Sequence, residues 1–369
     1  AGSGAAMVDA FQDLSIPDLF VDDDLTVGDD LILSSDSAII KFGADADTTL
    51  THTDGSGLTL NSTNKLMFND ASQFIQGSSA TVLSLGATDE IDLTATAMDF
   101  NGTVTISGDT TIEDGADLIT ATAGTSNVRI GVNAGNSITS GGNYNVVVGD
   151  EAGTALTTGD SNIAIGFEAL KTEDANSFNV AVGHQALKVN NGGDANVAIG
   201  YQALVSNTTA DNNVAVGNGA GASVTTGTFN ALIGGASGDA ITEGTRNIAF
   251  GHNALGADTL GSRSVAIGVA ALGDQNLTTA TDVYNVAVGH GAGTAVTTAT
   301  RSVLIGGLSG DALTTGSRNN VIGYNALGSD TLGARATALG YGALQTQNFT
   351  TATENYNTAL GYNAGGSVT

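Results

Sequence analysis

The feature that most constrains this chain is a nine-residue phrase that recurs from residue 127 onward. It reads NVAVGHQAL at 179–187, NVAIGYQAL at 196–204 and NTALGYNAG at 357–365. Aligned on its central glycine, the phrase has fourteen copies, most of them separated by the same step as the copies at 179, 196 and 213. A fixed period, here about 17 residues, is typical of a stacked repeat, in which each coil buries its apolar side chains against its neighbours.

Two kinds of position in the phrase predict a short strand that ends in a turn. Position two is usually Val or Ile and position four is always apolar, which predicts a strand with one buried face. Position five is glycine in every copy, so the backbone can turn there with a positive φ angle. Turn glycines of this kind include Gly166, Gly183, Gly200, Gly217, Gly251, Gly289, Gly323 and Gly361.

Positions one and three carry a further expectation about packing. Position three is mostly alanine and is expected on the opposite face of the strand, against a closely approaching surface. Position one is mostly asparagine, which is expected to stack and hydrogen-bond along the coil axis. The alternative is that asparagine only suits the entry to a turn. With strands about 4.8 Å apart, fourteen coils would be roughly 65–70 Å long.

A longer period is visible at position nine, which alternates in pairs between glycine and leucine. Two steps between copies are longer than the rest, from 264 to 285 and from 336 to 357. The larger unit is therefore four coils, which run from 213 to 285 and again from 285 to 357. The extra residues of each long step are expected to bulge as a loop on one face.

Aromatic and histidine side chains recur at position six, directly after the turn glycine. They are expected to point outward as a column of rings, which either recognises sugars or protein loops or is stabilised by ring-on-ring stacking. The residues of this candidate recognition ladder are Phe167, His184, Tyr201, His252, His290, Tyr324, Tyr341 and Tyr362.

Charge and composition exclude several classes of partner. The net charge of −27 argues against nucleic acid and anionic membranes. No apolar run is long enough for a transmembrane helix, so membrane insertion is not expected, and the N-terminus lacks the pattern of a signal peptide. The chain has no cysteine, which excludes a disulfide framework and is compatible with an extracellular location.

The chain is predicted to have three parts. Residues 1–20 comprise an expression scar or linker followed by a segment that either docks to an upstream protein or caps the first coil. Residues 21–126 contain short alternating runs bounded by Gly, Asp, Asn or Ser, which predict a β-rich acidic shaft. The predicted strands lie in the runs 25–33, 38–42, 57–68, 81–85, 90–100, 102–108 and 110–112. This shaft has too few large apolar side chains to build its own core, so it is expected to intertwine with two sister chains as a triple-stranded β-helix. Residues 127–369 are the repeat array, which stops within a coil.

No catalytic, cofactor or metal site is expected. The aspartates at 22–24 and 29–30 have the oxygen ligands that Ca²⁺ prefers, but they match no calcium motif, and a solvated acidic face is favoured. Two groups of carboxylates, at 89–92 and 173–174, are candidates for a glycan-cleaving pair, but neither stretch promises a cleft. The chain is therefore predicted not to be an enzyme.

The phrase N-V-A-V-G-x-x-A resembles the repeats of the head domain of trimeric autotransporter adhesins, which are YadA-like parallel β-rolls of three chains. With YQAL after the glycine, as at 201–204, it also resembles the repeats of phage tail fibres, and the run from 25 to 50 is similar to their β-rich shafts. The step from one copy to the next departs from the adhesin repeat, which is shorter. The resemblance implies a homotrimer, in which Ala181, Ala198 and Ala215 would form a close contact between chains.

The sequence thus predicts an all-β, elongated homotrimeric fibre: a short-strand shaft followed by a stacked parallel β-roll, or β-solenoid, of fourteen coils. The favoured function is a structural fibre of a phage tail, located on the virion, which provides reach and contributes to host attachment. Its expected partners are itself, a tail or baseplate protein at the N-terminal end, and a host-surface glycan or protein. The alternatives are the passenger domain of a bacterial surface adhesin, a glycan-degrading spike, and a non-viral extracellular filament.

Overall fold

A computed structural model describes residues 124–368 continuously, together with residues 26, 32, 38–42, 48–53, 57–60, 65–68, 70–79 and 82–86. The chain divides into two compact units, Ala1–Asp109 and Thr110–Thr369. Throughout the described residues, the regular structure is β-strand and no helix occurs. The predicted all-β class is therefore confirmed for this part of the chain.

The first unit contains two antiparallel three-stranded sheets. One sheet consists of β1 (Ile39–Phe42), β2 (Thr48–Thr53) and β3 (Gly57–Leu60); the other consists of β4 (Lys65–Phe68), β5 (Asp70–Ser79) and β6 (Val82–Gly86). The alternating runs at 38–42, 57–68 and 81–85 predict β1, β3, β4 and β6, whereas no such run predicts β2 or β5.

Several predicted features of the N-terminal region lie outside the described residues. They are the docking segment at 7–20, the aspartates at 22–24 and 29–30, the carboxylates at 89–92, and the strand runs from 90 to 112.

The second unit contains the repeat array, whose described residues form eighteen strands. Fourteen of them pair in parallel as one sheet, in an order that follows the chain. They are β7 (Val128–Ile130), β8 (Val146–Val148), β9 (Ile163–Ile165), β10 (Val180–Val182), β11 (Val197–Ile199), β12 (Val214–Val216), β13 (Ala231–Ile233), β14 (Ile248–Phe250), β16 (Val265–Ile267), β18 (Val286–Val288), β19 (Val303–Ile305), β20 (Asn320–Ile322), β22 (Thr337–Leu339) and β24 (Thr358–Leu360). Two small parallel pairs join β15 (Gly261–Ser262) to β17 (Thr281–Asp282) and β21 (Gly333–Ala334) to β23 (Thr353–Glu354).

Every coil contributes one three-residue strand, and equivalent positions pair directly. Ala181 pairs with Ala198, which in turn pairs with Ala215. The backbone bonds repeat in the same way: Val197 N–H donates to the carbonyl of Asn213 at 2.8 Å, and Gly200 N–H donates to Val182 at 2.8 Å. The array is therefore a parallel β-solenoid of fourteen coils, as the period predicted.

The turn glycines are required for two separate reasons. Gly200 has a φ angle of +135°, a region that side chains rarely adopt. A Cβ atom built there would lie 2.4 Å from the carbonyl oxygen of Gly217 in the next coil. All the turn glycines named above have a φ between +125° and +144°, which confirms the predicted turn.

The predicted facing of the strand is wrong. The alanines at position three are fully buried within the single chain, including Ala181, Ala198 and Ala215, each with 0% exposure. They point into their own coil, so they do not form the close contact between chains that the resemblance implied. The β-branched residues at positions two and four point outward instead. The inward position three is alanine in most coils and valine or leucine in four of them, so the narrow interior is filled from this position while the Val and Ile side chains of positions two and four lie outside.

The asparagines at position one form the predicted column along the coil axis, and this column is buried. Their main hydrogen bonds join side-chain amides to backbone groups and not one amide to another. Asn196 is fully buried, and its Oδ1 accepts from the backbone N–H of Asn213 at 3.0 Å. Its Nδ2 donates to the carbonyl of Ala210 at 2.7 Å, just before the next coil's asparagine. Each amide therefore ties one coil to the next through backbone groups, and amide–amide contacts of 3.2–3.3 Å are secondary.

One large apolar side chain fills the space opposite the strand, and it comes from either of two positions. Coils with leucine at position nine have a polar residue at position twelve, as in Leu204 and Asn207. Coils with glycine at position nine have Val, Ile or Leu at position twelve, as in Gly238 and Ile241. A Cβ on Gly238 would lie 2.9 Å from the Cδ1 of Ile241, so the two positions compete for the same space.

The two longer coils place a glutamine in the column of buried amides. Position one is Ser264 in the first of these coils, and Gln275 reaches inward to donate to Ser264 at 3.0 Å and to accept from Asn285 at 2.9 Å. Gln275 also donates to the buried Asp258 at 2.5 Å. The extra residues at 278–280 are exposed, which confirms the predicted bulge.

We expect Gly200→Ala to destabilise the array by more than Gly219→Ala. Both glycines have positive φ angles, but a Cβ at Gly219 meets nothing within 4 Å, whereas one at Gly200 meets backbone. A left-handed non-glycine residue costs about 1–2 kcal/mol, and the clash at Gly200 adds to this. Thermal unfolding followed by circular dichroism measures the difference, and equal melting temperatures for the two variants would contradict it.

The exchange between positions nine and twelve predicts a rescue. Leu204→Gly alone leaves a cavity and should destabilise the array by about 2–5 kcal/mol. Adding Asn207→Val, which reproduces the pair found in Gly221 and Val224, should restore a large part of this loss. A double-mutant cycle on denaturant unfolding gives the coupling energy. Strictly additive effects would mean that the two side chains do not share one space.

Candidate interaction surface

The outward side of the fourteen-stranded sheet is the main candidate surface. It consists of positions two, four and six and of the last position of each coil, which directly precedes the asparagine column. We call these four columns the outward face. The strand presents positions two and four because successive side chains alternate, and the turn at position five then exposes position six.

The centre of the outward face is apolar and partly exposed. Ile165, Ile199 and Ile267 are 37–39% exposed, and Phe250 is 51% exposed. The four columns contain one acidic residue, Asp150, although residues 127–369 carry sixteen acidic residues in all. A contiguous apolar area of this length, free of the chain's prevailing charge, is typical of an interaction surface.

The position-six column contains two stacks of rings, separated by coils without them. The centroids of His184 and Tyr201 are 5.3 Å apart with nearly parallel planes, and Phe167 lies 5.2 Å from His184 on the other side. Tyr341 stacks in the same way between Tyr324 and Tyr362, at 5.5 and 5.3 Å. The outward orientation and the stacking are as predicted.

His252 and His290 also lie at position six and are exposed, but they join neither stack. Their neighbours in the column are glycines and Val269 rather than rings. The predicted ladder is therefore two separate groups of three rings instead of one continuous column.

The last position of each coil forms a second exposed column that the sequence pattern did not predict. From 229 to 356 it contains only arginine and aromatic residues. We call this set the Arg–aromatic column: Phe229, Arg246, Arg263, Tyr284, Arg301, Arg318, Arg335 and Tyr356. The signal is present in the sequence as the residue directly before each position one, but the aligned phrase begins one residue too late to include it.

Three contacts within this column pair a guanidinium with a ring of the adjacent coil. Arg246 lies 5.4 Å from the ring centre of Phe229, Arg263 lies 5.7 Å from Tyr284, and Arg335 lies 5.4 Å from Tyr356. These distances are within the range of cation–π attraction. Attraction to a ring face leaves the N–H groups of a guanidinium able to donate hydrogen bonds.

Two of the arginines also have carboxylate partners in the long coils. Arg263 contacts Asp282 at 2.9 Å, and Arg335 contacts Glu354 at 2.9 Å. Hydrogen bonds from Tyr356 and Arg335 lower the pKa of Glu354 below its usual value. Arg246, Arg301 and Arg318 are exposed, and within the described residues no carboxylate lies within ion-pair distance of them.

A separate ion-pair cluster lies on the early coils. Lys171 bridges Glu151 at 2.5 Å and Glu168 at 2.7 Å, and Lys188 contacts Glu168 at 2.6 Å. Hydrogen bonds from Lys171 and then Lys188 lower the pKa of Glu168 to about 2. All three contacts join charges on the same or adjacent coils, so they reinforce stacking.

Two carboxylates inside the stack, those of Glu173 and Asp258, have pKa values that are raised and not lowered. Burial raises the pKa of Glu173 from 4.5 to about 7, although its oxygens accept from the backbone N–H of Asn176 at 2.8 Å and from the Asn190 side chain. Burial likewise raises the pKa of Asp258. Glu173 is fully covered within the coil, while its neighbour Asp174 is exposed, so the two do not face a common cleft.

The described residues offer little other site chemistry. No group of three or more His, Asp or Glu side chains there could hold a metal ion. A shallow hollow lined by Thr172, Val189, Asn191, Thr208 and Thr209 offers hydroxyl and amide groups. Among the described residues there is also no helix of the length and apolarity needed to cross a membrane.

Comparison of the chain with protein-family models, with curated proteins and with solved structures gives no match.

We expect the stability of the array to fall as the pH rises from about 4.5 to about 7. In this window the unfolded chain has lost the proton that folded Glu173 retains, so the free energy of unfolding decreases with pH. Glu173→Gln should remove about 1–2 kcal/mol of this dependence. Denaturant unfolding at pH 5, 6, 7 and 8 measures how the free energy of unfolding changes with pH, and the slope should correspond to about one proton. An unchanged pH slope in the variant would show that Glu173 does not carry the effect.

Proposed function

We propose that this chain is a structural fibre protein of a phage tail that assembles as a homotrimer, provides reach and contributes to attachment to the host surface. The observation that carries the proposal is the apolar centre of the outward face, a long strip on a solenoid whose acidic residues lie almost entirely outside that face. The function proposed is mechanical, with no catalytic role. Residues 21–126 are proposed to form the intertwined shaft of the same fibre.

The size of the outward face supports association of whole chains. Fourteen strands about 4.8 Å apart, and the five residues from position two to position six at about 3.3 Å each, give an area of roughly 1,000–1,100 Å² without the last position of each coil. A stable protein–protein interface buries about 800 Å² on each partner. The face is therefore large enough to bind sister chains along its length.

The charge distribution also supports a partner that is a copy of this chain. A chain with a net charge of −27 repels its copies wherever acidic groups meet. The outward face avoids this repulsion because acidic residues are nearly absent from its four columns. Sister-chain contacts in this proposal use Val and Ile at positions two and four, and not the alanines at position three.

We expect Ile199→Asp combined with Ile267→Asp to reduce the assembly to single chains. Both side chains lie in the apolar centre of the outward face, and an unpaired carboxylate buried against a sister chain is strongly unfavourable. The matched control is Thr209→Asp with Thr298→Asp, which adds the same charge at exposed positions away from this face. Light scattering should give three times the chain mass of 36.5 kDa for the wild type and the control.

A wild-type particle with the mass of one chain would contradict the homotrimer. Circular dichroism of the isoleucine variant shows whether its coils remain folded. If the variant keeps the trimeric mass and the native spectrum, sister chains do not meet at the outward face.

The location is tested independently of the assembly. An antibody against the chain should label the tail fibres of purified virions in electron micrographs. Labelling of bacterial outer membranes would instead favour the adhesin, and labelling of extracellular filaments without virions would favour a non-viral fibre. Neighbouring tail and baseplate genes would also be expected for the favoured function.

A further inference from the structure

We propose that the Arg–aromatic column is a binding site for an extended, anionic polysaccharide that carries carboxylate or sulfate groups. This inference rests on the proposed function, since it names the ligand class and the residues through which the fibre contacts a host surface. It differs from the ring ladder at position six, because it uses a separate column and requires charge.

Positive charge is concentrated in the Arg–aromatic column. The chain has ten lysines and arginines in 369 residues, and five of them are Arg246, Arg263, Arg301, Arg318 and Arg335 in this one column. They occur within eight consecutive coils of an acidic protein. Such a strip attracts anions that the rest of the surface repels.

The backbone of the column is in a conformation that arginine seldom adopts. Every residue of the column has a positive φ angle, from +50° at Tyr356 to +65° at Arg335. Large side chains are uncommon in this region, which asparagine tolerates best. The equivalent positions of earlier coils include Phe178 and Asn212, with φ angles of +63° and +58°, but no arginine. The five arginines of the later coils therefore stand where local backbone preference favours a smaller residue, which indicates a role beyond folding.

Three guanidinium groups of the column are available to bind an anion. Arg246, Arg301 and Arg318 are exposed and have no carboxylate within ion-pair distance in the described residues. Arg246 is held in orientation by Phe229, and its N–H edges remain free to bind an anion. Asp282 and Glu354 already occupy Arg263 and Arg335, so the free arginines are the expected anion contacts.

The spacing of charges favours a polysaccharide over nucleic acid. Eight coils about 4.8 Å apart span roughly 34 Å, so the column offers one guanidinium per ~7 Å. Duplex DNA carries one charge per ~1.7 Å, which is far denser than this strip can neutralise. The ring of Tyr284 lies between the arginines, those of Phe229 and Tyr356 flank them, and all three rings are exposed. An anionic sugar chain supplies both contacts, with apolar C–H faces for the rings and carboxylates or sulfates for the arginines.

The test compares Arg246→Asn, Arg301→Asn and Arg318→Asn, made together, with the wild-type full chain. Asparagine is chosen because it suits the left-handed backbone and occurs naturally there at Asn212. The variant should therefore unfold at the same temperature or higher. The control is Thr209→Asp, Thr226→Asp and Thr298→Asp, which changes the net charge equally at exposed positions outside the column.

Binding is measured by titration calorimetry with galacturonate and chondroitin sulfate oligosaccharides, at fixed low salt. The wild type should bind at least one of these probes. Both carry carboxylates, so tighter binding of chondroitin sulfate would identify sulfate as a contact, and equal or tighter binding of galacturonate would identify carboxylate as sufficient. The triple arginine variant should bind at least about tenfold more weakly, whereas the threonine control should change by less than about twofold. Neutral maltose oligosaccharides should bind more weakly than either anionic probe.

Four results would overturn the proposal. They are binding of neither anionic probe, equal binding by polyglutamate, an equal loss of binding in the threonine control, and a changed particle mass in the arginine variant. The last would place the column within the assembly interface. Light scattering on the same samples separates this result from failure of the homotrimer itself, which would appear in the wild-type mass.

Discussion

The structure depends on one constraint: each coil contributes one short parallel strand that pairs in register with the equivalent strand of the next coil. The position of a residue in the phrase therefore determines its environment, and the side chains at equivalent positions of successive coils form a column along the stack. The asparagine amides extend this rule to side chains, since Asn196 accepts from the backbone N–H of Asn213 in the following coil at 3.0 Å and donates to Ala210 near the end of its own coil at 2.7 Å. A residue that disrupts one coil disrupts the template for its neighbours as well.

Inside the stack, the narrow cross-section explains which substitutions occur together. The interior accepts alanine, or in four coils valine or leucine, from position three of the strand, together with one large apolar group from position nine or from position twelve. Where leucine fills the space from position nine, position twelve becomes free for a polar group such as Glu173 or Asp258. These buried carboxylates join adjacent coils through hydrogen bonds to Asn190 and Gln275, and burial raises their pKa.

The period, the strands and the turn glycines could be predicted from the sequence because they depend on local pattern and repeat geometry. The facing of the strand could not, because Val and Ile usually mark the buried side, whereas here they occupy the two outward positions and the buried position three is mostly alanine. The exchange between Leu204 and Val224 in neighbouring coils could not be predicted from the nine-residue phrase, because position twelve lies beyond its end. The Arg–aromatic column also lies outside the phrase, since Arg246 and Tyr284 directly precede position one.

The measurement that tests the account most directly is thiol labelling of single-cysteine variants, since the chain has no cysteine of its own. Ala198→Cys, Ile199→Cys and Thr209→Cys place one thiol inside the coil, on the outward face and on an exposed turn. Ala198→Cys should remain unlabelled in folded protein and Thr209→Cys should label fully. Ile199→Cys should be protected in the assembly and reactive in single chains. Labelling of Ala198→Cys as fast as Thr209→Cys would contradict the assignment of inside and outside on which the account rests.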